Sequence, residues 1–180
     1  HTRMFIHKKK LYLCSVHKFN LRMFSYLKFW WKSSNQHGLH SPFVYNYLTK
    51  GLYEAEGMSN NESLNWILKS IKYFKPNKIH VIGDELNCNL IEFKELFTKD
   101  VIEANIIIVD KEASNKQECF TLIENISSEQ ILLFKDSIYN EKFQKKLRDH
   151  REITIVVDFF FCSLISKRKE QLKQNFFLRL

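Results

Sequence analysis

The feature that most constrains the fold is an alternation of short apolar runs with amphipathic segments from residue 78 onwards. The apolar runs have the length and composition of buried strands: KIHVIG (78–83), NIIIVD (105–110) and QILLFKD (130–136). The intervening and following segments place apolar residues at helical spacing, and cover residues 86–99, 113–126 and 138–150. Such alternation predicts an α/β fold with a mostly parallel sheet and helices on both faces.

The end of the chain departs from this alternation. EITIVVDFFFCSLIS (152–166) contains two strand-like runs around a turn near 159–162, and FFLRL (176–180) predicts a last strand. Because no helix separates the first two runs, they are expected to pair antiparallel.

The N-terminal part is expected to be helical. RMFSYLKFWWK (22–32) predicts a short amphipathic helix with basic flanks. A second helix is predicted over 41–53, with Ser41 as N-cap and Pro42 at the first helical position. A third is predicted over about 61–74, with an apolar stripe of Leu64, Ile67, Leu68, Ile71 and Phe74. The chain is thus divided into a basic extension (1–22), an N-terminal helical region (23–75) and an α/β domain (76–180).

The positive charge is concentrated at the N-terminus. The formal net charge is +8, and the first 53 residues contain nine Lys or Arg and no Asp or Glu. With Trp30 and Trp31, this basic segment, residues 1–32, could lie on an anionic membrane surface or stack on nucleic acid bases. The alternative is a helix that packs on the domain with its lysines in water.

The cysteines and hydropathy predict a cytoplasmic protein. Cys14, Cys88, Cys119 and Cys162 form no C-x-x-C pair, as expected of a chain in a reducing compartment. No apolar run reaches the ~18 residues of a membrane span.

The stretch HGLHSPF (37–43) contains two histidines three residues apart. A zinc site requires three or four protein ligands, and neither Cys nor acid lies near His37 and His40. No metal site is therefore predicted, and His40 is expected to precede the capped helix.

Four stretches together resemble a known family: NQHGLHSPFVYNYLTKGLY (35–53), LKSIKYFKPNKIHVIGDEL (68–86), NIIIVDKEASNKQECFTLIE (105–124) and the segment from KDSIY (135–139) to the end. They are similar to small class I S-adenosylmethionine (SAM)-dependent methyltransferases found in Bacteroidetes. The resemblance covers most of residues 23–180.

The resemblance implies a Rossmann-like, doubly wound sheet of seven strands with SAM across the carboxyl ends of the first strands. The implied activity is methyl transfer from SAM to a small acceptor. Gly83, Asp84 and Glu85 would then contact SAM, and Asp110 and Asp136 would lie near the acceptor as catalytic residues.

The chain also departs from the family pattern. Asn87 stands where a second glycine is expected, Val81 replaces an acid, and Lys135 replaces one acid of a motif close to FDDIHW. The second and third strands are absent from the pattern, together with the acid that binds the ribose. The first strand should therefore become an exposed sheet edge. These departures predict a pseudoenzyme with weak or absent SAM binding and weak or no activity.

An alternative function stays open beside the enzymatic one. The basic aromatic helix and the exposed sheet edge could form a non-enzymatic interaction module that binds a partner or a membrane surface, and the edge could form a homo-oligomer. Because the resemblance begins at Met23, residues 1–22 are expected to be translated from upstream of the natural start or to be a non-native extension. Without them the net charge falls from +8 to +2.

Overall fold

The computed structural model describes residues 23–34, 39–110, 116–135 and 141–180. The chain divides into two compact units, His1–Ser33 and Ser34–Leu180. In the first unit, residues 23–32 form helix α1, as predicted. The backbone N–H of Ser33 donates to Phe29 O at 2.8 Å, and its hydroxyl donates to Trp30 O at 2.9 Å, which satisfies carbonyls at the end of the helix.

Helix α2 (Pro42–Asn46) begins the second unit's helices and confirms the predicted cap. The Ser41 hydroxyl accepts a hydrogen bond from Val44 N at 3.4 Å, and Pro42 occupies the first turn. The helix continues over Tyr47–Tyr53 as a π-helix, whose turns are wider than those of an α-helix. The helix predicted over 41–53 is therefore unbroken. The Ser41 hydroxyl also donates to Gln171 Oε1 at 3.1 Å, which ties this helix start to the C-terminal segment.

Helix α3 (Glu62–Phe74) matches its predicted bounds. The Asn61 side chain caps it by accepting from Leu64 N at 3.0 Å. The helix ends at Lys75, which has a left-handed φ of 47°. Pro76 follows, and a residue that precedes proline avoids the right-handed helical conformation. From the predicted stripe, the structure buries Ile67, Leu68 and Ile71, and partly buries Leu64 and Phe74.

The sheet has six strands in the order β1-β2-β3-β5-β4-β6. They are β1 (Ile79–Ile82), β2 (Ile106–Asp110), β3 (Ile131–Lys135), β4 (Ile155–Asp158), β5 (Cys162–Ser166) and β6 (Gln174–Phe177). Strand β5 runs antiparallel to both of its neighbours, and the other pairings are parallel. The mixed α/β class, the mostly parallel sheet and the antiparallel closing strands are therefore confirmed.

Apolar cores form on both faces of this sheet. On one face, helix residues such as Leu48 and Ile71 share a core with Ile108 and Leu133. On the other face, helices α5 (Lys116–Asn125) and α6 (Glu141–Asp149) pack over the strand residues that alternate with these, including Ile107 and Leu132. Helices α2 and α3 thus belong to the same compact unit as the strands. The predicted boundary between a helical region (23–75) and an α/β domain (76–180) falls inside this unit.

The segment between β1 and β2 differs from the predicted single helix over 86–99. It forms helix α4 (Asp84–Asn89) and then a 3-10 helix (Ile91–Leu96), with a turn at Leu90. Asn87 lies within helix α4 and has no positive φ. It therefore does not adopt the backbone conformation expected of a residue that replaces a glycine in a turn. Residues 83–105 are all described, and they contain no further strand that pairs in the sheet.

Strand β1 is an edge strand, as the missing strands predicted, but its edge is partly covered. Thr98 N donates to Ile79 O at 2.9 Å, and Phe97 forms an isolated parallel bridge with Ile79. The Nδ1 of His80 lies 3.0 Å from Thr98 O. The first half of the edge is therefore already hydrogen-bonded within the chain, which reduces its capacity to pair with another strand.

Across the described ranges, no helix combines the length and the hydropathy that crossing a membrane would require.

Gly51 provides a test of the packing between the π-helix and α3. A Cβ at Gly51 would lie 2.8 Å from Cγ of the Tyr73 ring, whereas a Cβ at Gly57 would meet nothing within 4 Å. We expect Gly51→Ala to lower the free energy of unfolding by about 1–3 kcal/mol through overpacking. Gly57→Ala is the matched control and should change it by less than about 0.5 kcal/mol. Urea denaturation measures both, and equal effects would contradict this packing.

Candidate functional site

The candidate site lies at the carboxyl ends of the three neighbouring parallel strands β1, β2 and β3. Parallel strands end at the same edge of a sheet, where ligands of open α/β folds bind. Gly83 follows β1, Asp110 ends β2 and Lys135 ends β3. Asp110 and Lys135 are direct register partners, although 25 positions separate them in sequence.

A glycine turn connects β1 to α4. Gly83 has a φ of 132°, which L side chains rarely adopt, so this turn depends on glycine. Asp84 and Glu85 form the first turn of α4, where acidic side chains are favoured by the helix dipole. The structure thus places the three residues predicted for the cofactor beside the ends of the first strands.

A buried ion pair dominates this edge. The Nζ of Lys135 lies 3.1 Å from Oδ2 of Asp110, and the two side chains are 9% and 7% exposed. The same Nζ lies 3.9 Å from Oε2 of Glu85, whose side chain is largely exposed. Lys135 therefore joins two of the predicted site residues, Glu85 and Asp110, through one ammonium group. Asp136, the second predicted catalytic acid, lies outside the described residues.

The ion pair limits the chemistry available to Asp110. An acid that acts as a general base must be within reach of the proton that it removes. The Asp110 carboxylate instead accepts a charge-assisted hydrogen bond from Lys135, so the two side chains form an ion pair at this edge.

The described residues contain no cluster of three or more His, Cys, Asp or Glu side chains able to hold a metal ion. His40 is exposed before α2, and His37 lies outside the described residues.

Aromatic side chains occupy the same face farther along the edge. Cys162 is the register partner of Lys135 on the other side, and Phe159 N donates to Cys162 O at 2.9 Å. The ring of Phe159 packs against Trp66 and Tyr47, with centroid distances of 5.8 and 6.3 Å. All three aromatic residues are at most 5% exposed. This part of the edge is therefore protein core.

The hydroxyl of Tyr47 is hydrogen-bonded inside this aromatic cluster. Tyr47 donates its hydroxyl hydrogen to Ser70 Oγ at 2.7 Å, and Ser70 Oγ donates to Trp66 O at 2.7 Å. Burial raises the pKa of the Tyr47 phenol well above its ordinary value. The phenol is thus neutral near pH 7 and has a structural role.

Sequence reasoning did not identify Asp158, a third acid at this end of the sheet. Asp158 ends β4, is buried on the opposite face, and lies 3.8 Å from Nη1 of Arg148. Its Oδ1 accepts a hydrogen bond at 3.0 Å from the N–H of Phe160, a residue held at a positive φ of 75°. Such a conformation costs on the order of 1–3 kcal/mol, so Asp158 helps to hold a strained turn. The sequence signal for Asp158 is the acid at the end of the strand IVVD, which corresponds to the acid at the end of IIIVD.

Desolvation controls the charge of Asp158. Burial raises the pKa of its carboxyl to about 6, although the Phe160 N–H and the Arg148 guanidinium act in the opposite direction. The ion pair at 3.8 Å is too long and too exposed on the arginine side to offset the loss of water.

Comparisons with known proteins do not identify this chain. No model of a known protein family matches it, and a search of curated proteins finds no match either. The functional conclusions therefore depend on the geometry of its own residues and on the resemblance of its motifs.

A double-mutant cycle tests the Lys135–Asp110 pair. Lys135→Met removes the ammonium beside a buried carboxylate, and we expect it to cost about 3–5 kcal/mol of unfolding free energy. Adding Asp110→Asn should recover most of that loss, because both buried charges are then gone. Glu85→Gln is the control at the exposed partner and should cost less than about 1 kcal/mol. Additive costs in urea denaturation would contradict a coupled pair.

The pKa of Asp158 predicts a pH dependence of stability. An unfolded aspartate titrates near pH ~3.9, whereas the folded pKa is about 6. Between these values the folded state binds more protons, so this group's contribution to stability falls as the pH rises from 4 to 6.

Asp158→Asn should remove that dependence, since an amide oxygen can still accept from the Phe160 N–H. Relative to the natural protein, the variant should gain on the order of 3 kcal/mol of unfolding free energy between pH 4 and pH 8. Denaturant titrations at both pH values measure it, and a constant difference would show that Asp158 does not titrate in this window.

Proposed function

We propose that this protein is a class I methyltransferase-like pseudoenzyme with a Rossmann-like sheet, and that it has lost SAM binding and methyl transfer. The observation that carries the proposal is the buried Lys135 ammonium, held 3.1 Å from Asp110 at the edge where the resemblance puts the cofactor. The residues at this edge do not fit SAM, for one electrostatic and two steric reasons.

The electrostatic reason is the ion pair at the edge. SAM carries a positive sulfonium, and the family pattern has an acid at the position of Lys135. The Lys135 ammonium instead pairs with Asp110, so the edge has one acid fewer than the family pattern and Asp110 already has a counter-ion. Admission of SAM would require the ion pair to separate, which leaves a buried charge without its counter-ion.

The first steric reason is the position of β1. In open α/β sheets, ligands bind in a crevice at the point where the strand order reverses, so strands are needed on both sides. Here the order β1-β2-β3 runs in one direction from the edge of the sheet. Beyond β1 lies the bridge from Phe97 and the hydrogen bond from Thr98, within the fully described segment 83–105. One wall of a nucleotide crevice is therefore missing.

The second steric reason is the filling of the acceptor side. The resemblance puts the methyl acceptor near the ends of β2 and β3. Tyr47, Trp66 and Phe159 pack as core on that face, next to Cys162 and Lys135. A small acceptor would have to displace buried aromatic rings, each of which contributes substantially to core stability.

Calorimetry and thermal unfolding with SAM test this proposal. An intact site with a Kd of ~10 μM would stabilise the protein by about 2.7 kcal/mol at ~1 mM SAM, which raises Tm by several degrees. We expect no measurable heat of binding and a shift of less than about 1 °C.

S-adenosylhomocysteine is the matched control ligand, because it lacks the sulfonium charge. We expect both ligands to fail, because the incomplete crevice affects them equally, whereas binding of S-adenosylhomocysteine alone would show that charge by itself excludes SAM. Micromolar binding of SAM in calorimetry, with the corresponding rise of Tm, would overturn the proposal.

A further inference from the structure

Helix α1 exposes large apolar side chains along one side. Phe24, Leu27 and Trp31 are 66%, 53% and 86% exposed. With 3.6 residues per turn, these three positions fall within an arc of about 60° on the helix surface. Met23 and Trp30 are also about half exposed, at positions that flank the same arc. We refer to Phe24, Leu27 and Trp31 as the aromatic face of α1.

The clustering of these side chains requires an explanation. Single apolar side chains on a surface are ordinary, whereas a contiguous apolar patch marks a site that contacts another molecule or a membrane. An amphipathic helix usually turns its apolar stripe toward a core. The aromatic face of α1 instead remains accessible to solvent, and Trp31 is among the most exposed large apolar residues described.

Charge indicates what would cover this face. Lys28 and Lys32 follow the aromatic face at one border, four residues apart, and no acid occurs in residues 23–32. The excess does not depend on residues 1–22, since residues 23–53 contain three lysines and no acidic side chain. A surface that combines Trp, Phe and Leu with adjacent lysines fits the interface of an anionic lipid bilayer.

We propose that α1 binds the surface of an anionic bilayer. The aromatic face enters the boundary between headgroups and acyl chains, and Lys28 and Lys32 lie at the lipid phosphates. Tryptophan favours this boundary because its ring is apolar while its N–H can bond to water or headgroups. This inference does not depend on the loss of SAM binding.

A bilayer fits these side chains better than nucleic acid does. Binding of single-stranded nucleic acid uses aromatic rings as stacking platforms along a basic groove. Leu27, one of the three side chains of the aromatic face, has no ring for stacking, whereas a bilayer buries Leu as well as Phe and Trp. The composition of the face thus favours lipid.

Vesicle flotation with the full chain tests the proposal. The probes are vesicles of phosphatidylglycerol mixed with phosphatidylcholine, and vesicles of phosphatidylcholine alone. The test variant is Phe24→Ala/Leu27→Ala/Trp31→Ala, which keeps good helix formers in α1. The matched control is Ile91→Ala/Ile102→Ala/Leu172→Ala, because these side chains are similarly exposed, at 69%, 87% and 84%, but lie elsewhere.

We expect the natural protein and the matched control to bind the anionic vesicles, and to bind the neutral vesicles at least about tenfold more weakly. The triple alanine variant of the aromatic face should lose more than about tenfold in affinity, since each buried apolar side chain contributes to insertion. Lys28→Gln and Lys32→Gln should each weaken binding by about fivefold at low salt.

Other outcomes would overturn the proposal. One is the absence of binding to the anionic vesicles. Another is binding that persists in the aromatic-face variant, because it would then come from basic residues alone. A third is loss of binding to a single-stranded oligonucleotide in that variant while vesicles remain unbound, which would assign the face to nucleic acid.

Discussion

The pairing of Lys135 with Asp110 is the interaction on which the functional end of this sheet depends. An ammonium can remain buried in a protein only if an opposite charge stands beside it. Parallel pairing of β2 with β3 makes the two residues register partners, and their charged atoms come to 3.1 Å. In the proposed function, this pair occupies the edge where the resemblance puts a cationic cofactor.

The two acids at this end of the sheet differ because their counter-charges differ. Asp110 has a buried lysine in direct contact, whereas Asp158 has Arg148 at 3.8 Å on the opposite face. Burial therefore dominates at Asp158 and raises its pKa to about 6. That acid contributes to the turn through the N–H of Phe160, which is held in a strained conformation. Both acids thus make structural contacts at this end of the sheet.

The second unit and α1 carry the two proposals separately. The sheet has a glycine turn at Gly83, a β1 edge without further strands and a core of aromatic rings around Phe159. Helix α1 has apolar residues at the surface and lysines beside them. We propose loss of SAM binding for the sheet and attachment to an anionic bilayer for α1.

The sequence by itself determined the local elements, because their signals lie within a few residues. Apolar runs located the strands, and Ser41 and Asn61 located helix starts through side chains that cap the backbone. The resemblance also indicated the edge position of β1, because the second and third strands of the family pattern are missing. Only the tertiary structure decided that Lys135 meets Asp110, that β5 inserts between β3 and β4, and that Asp158 is buried. These depend on register between distant segments, and local periodicity contains no information about which strands become neighbours.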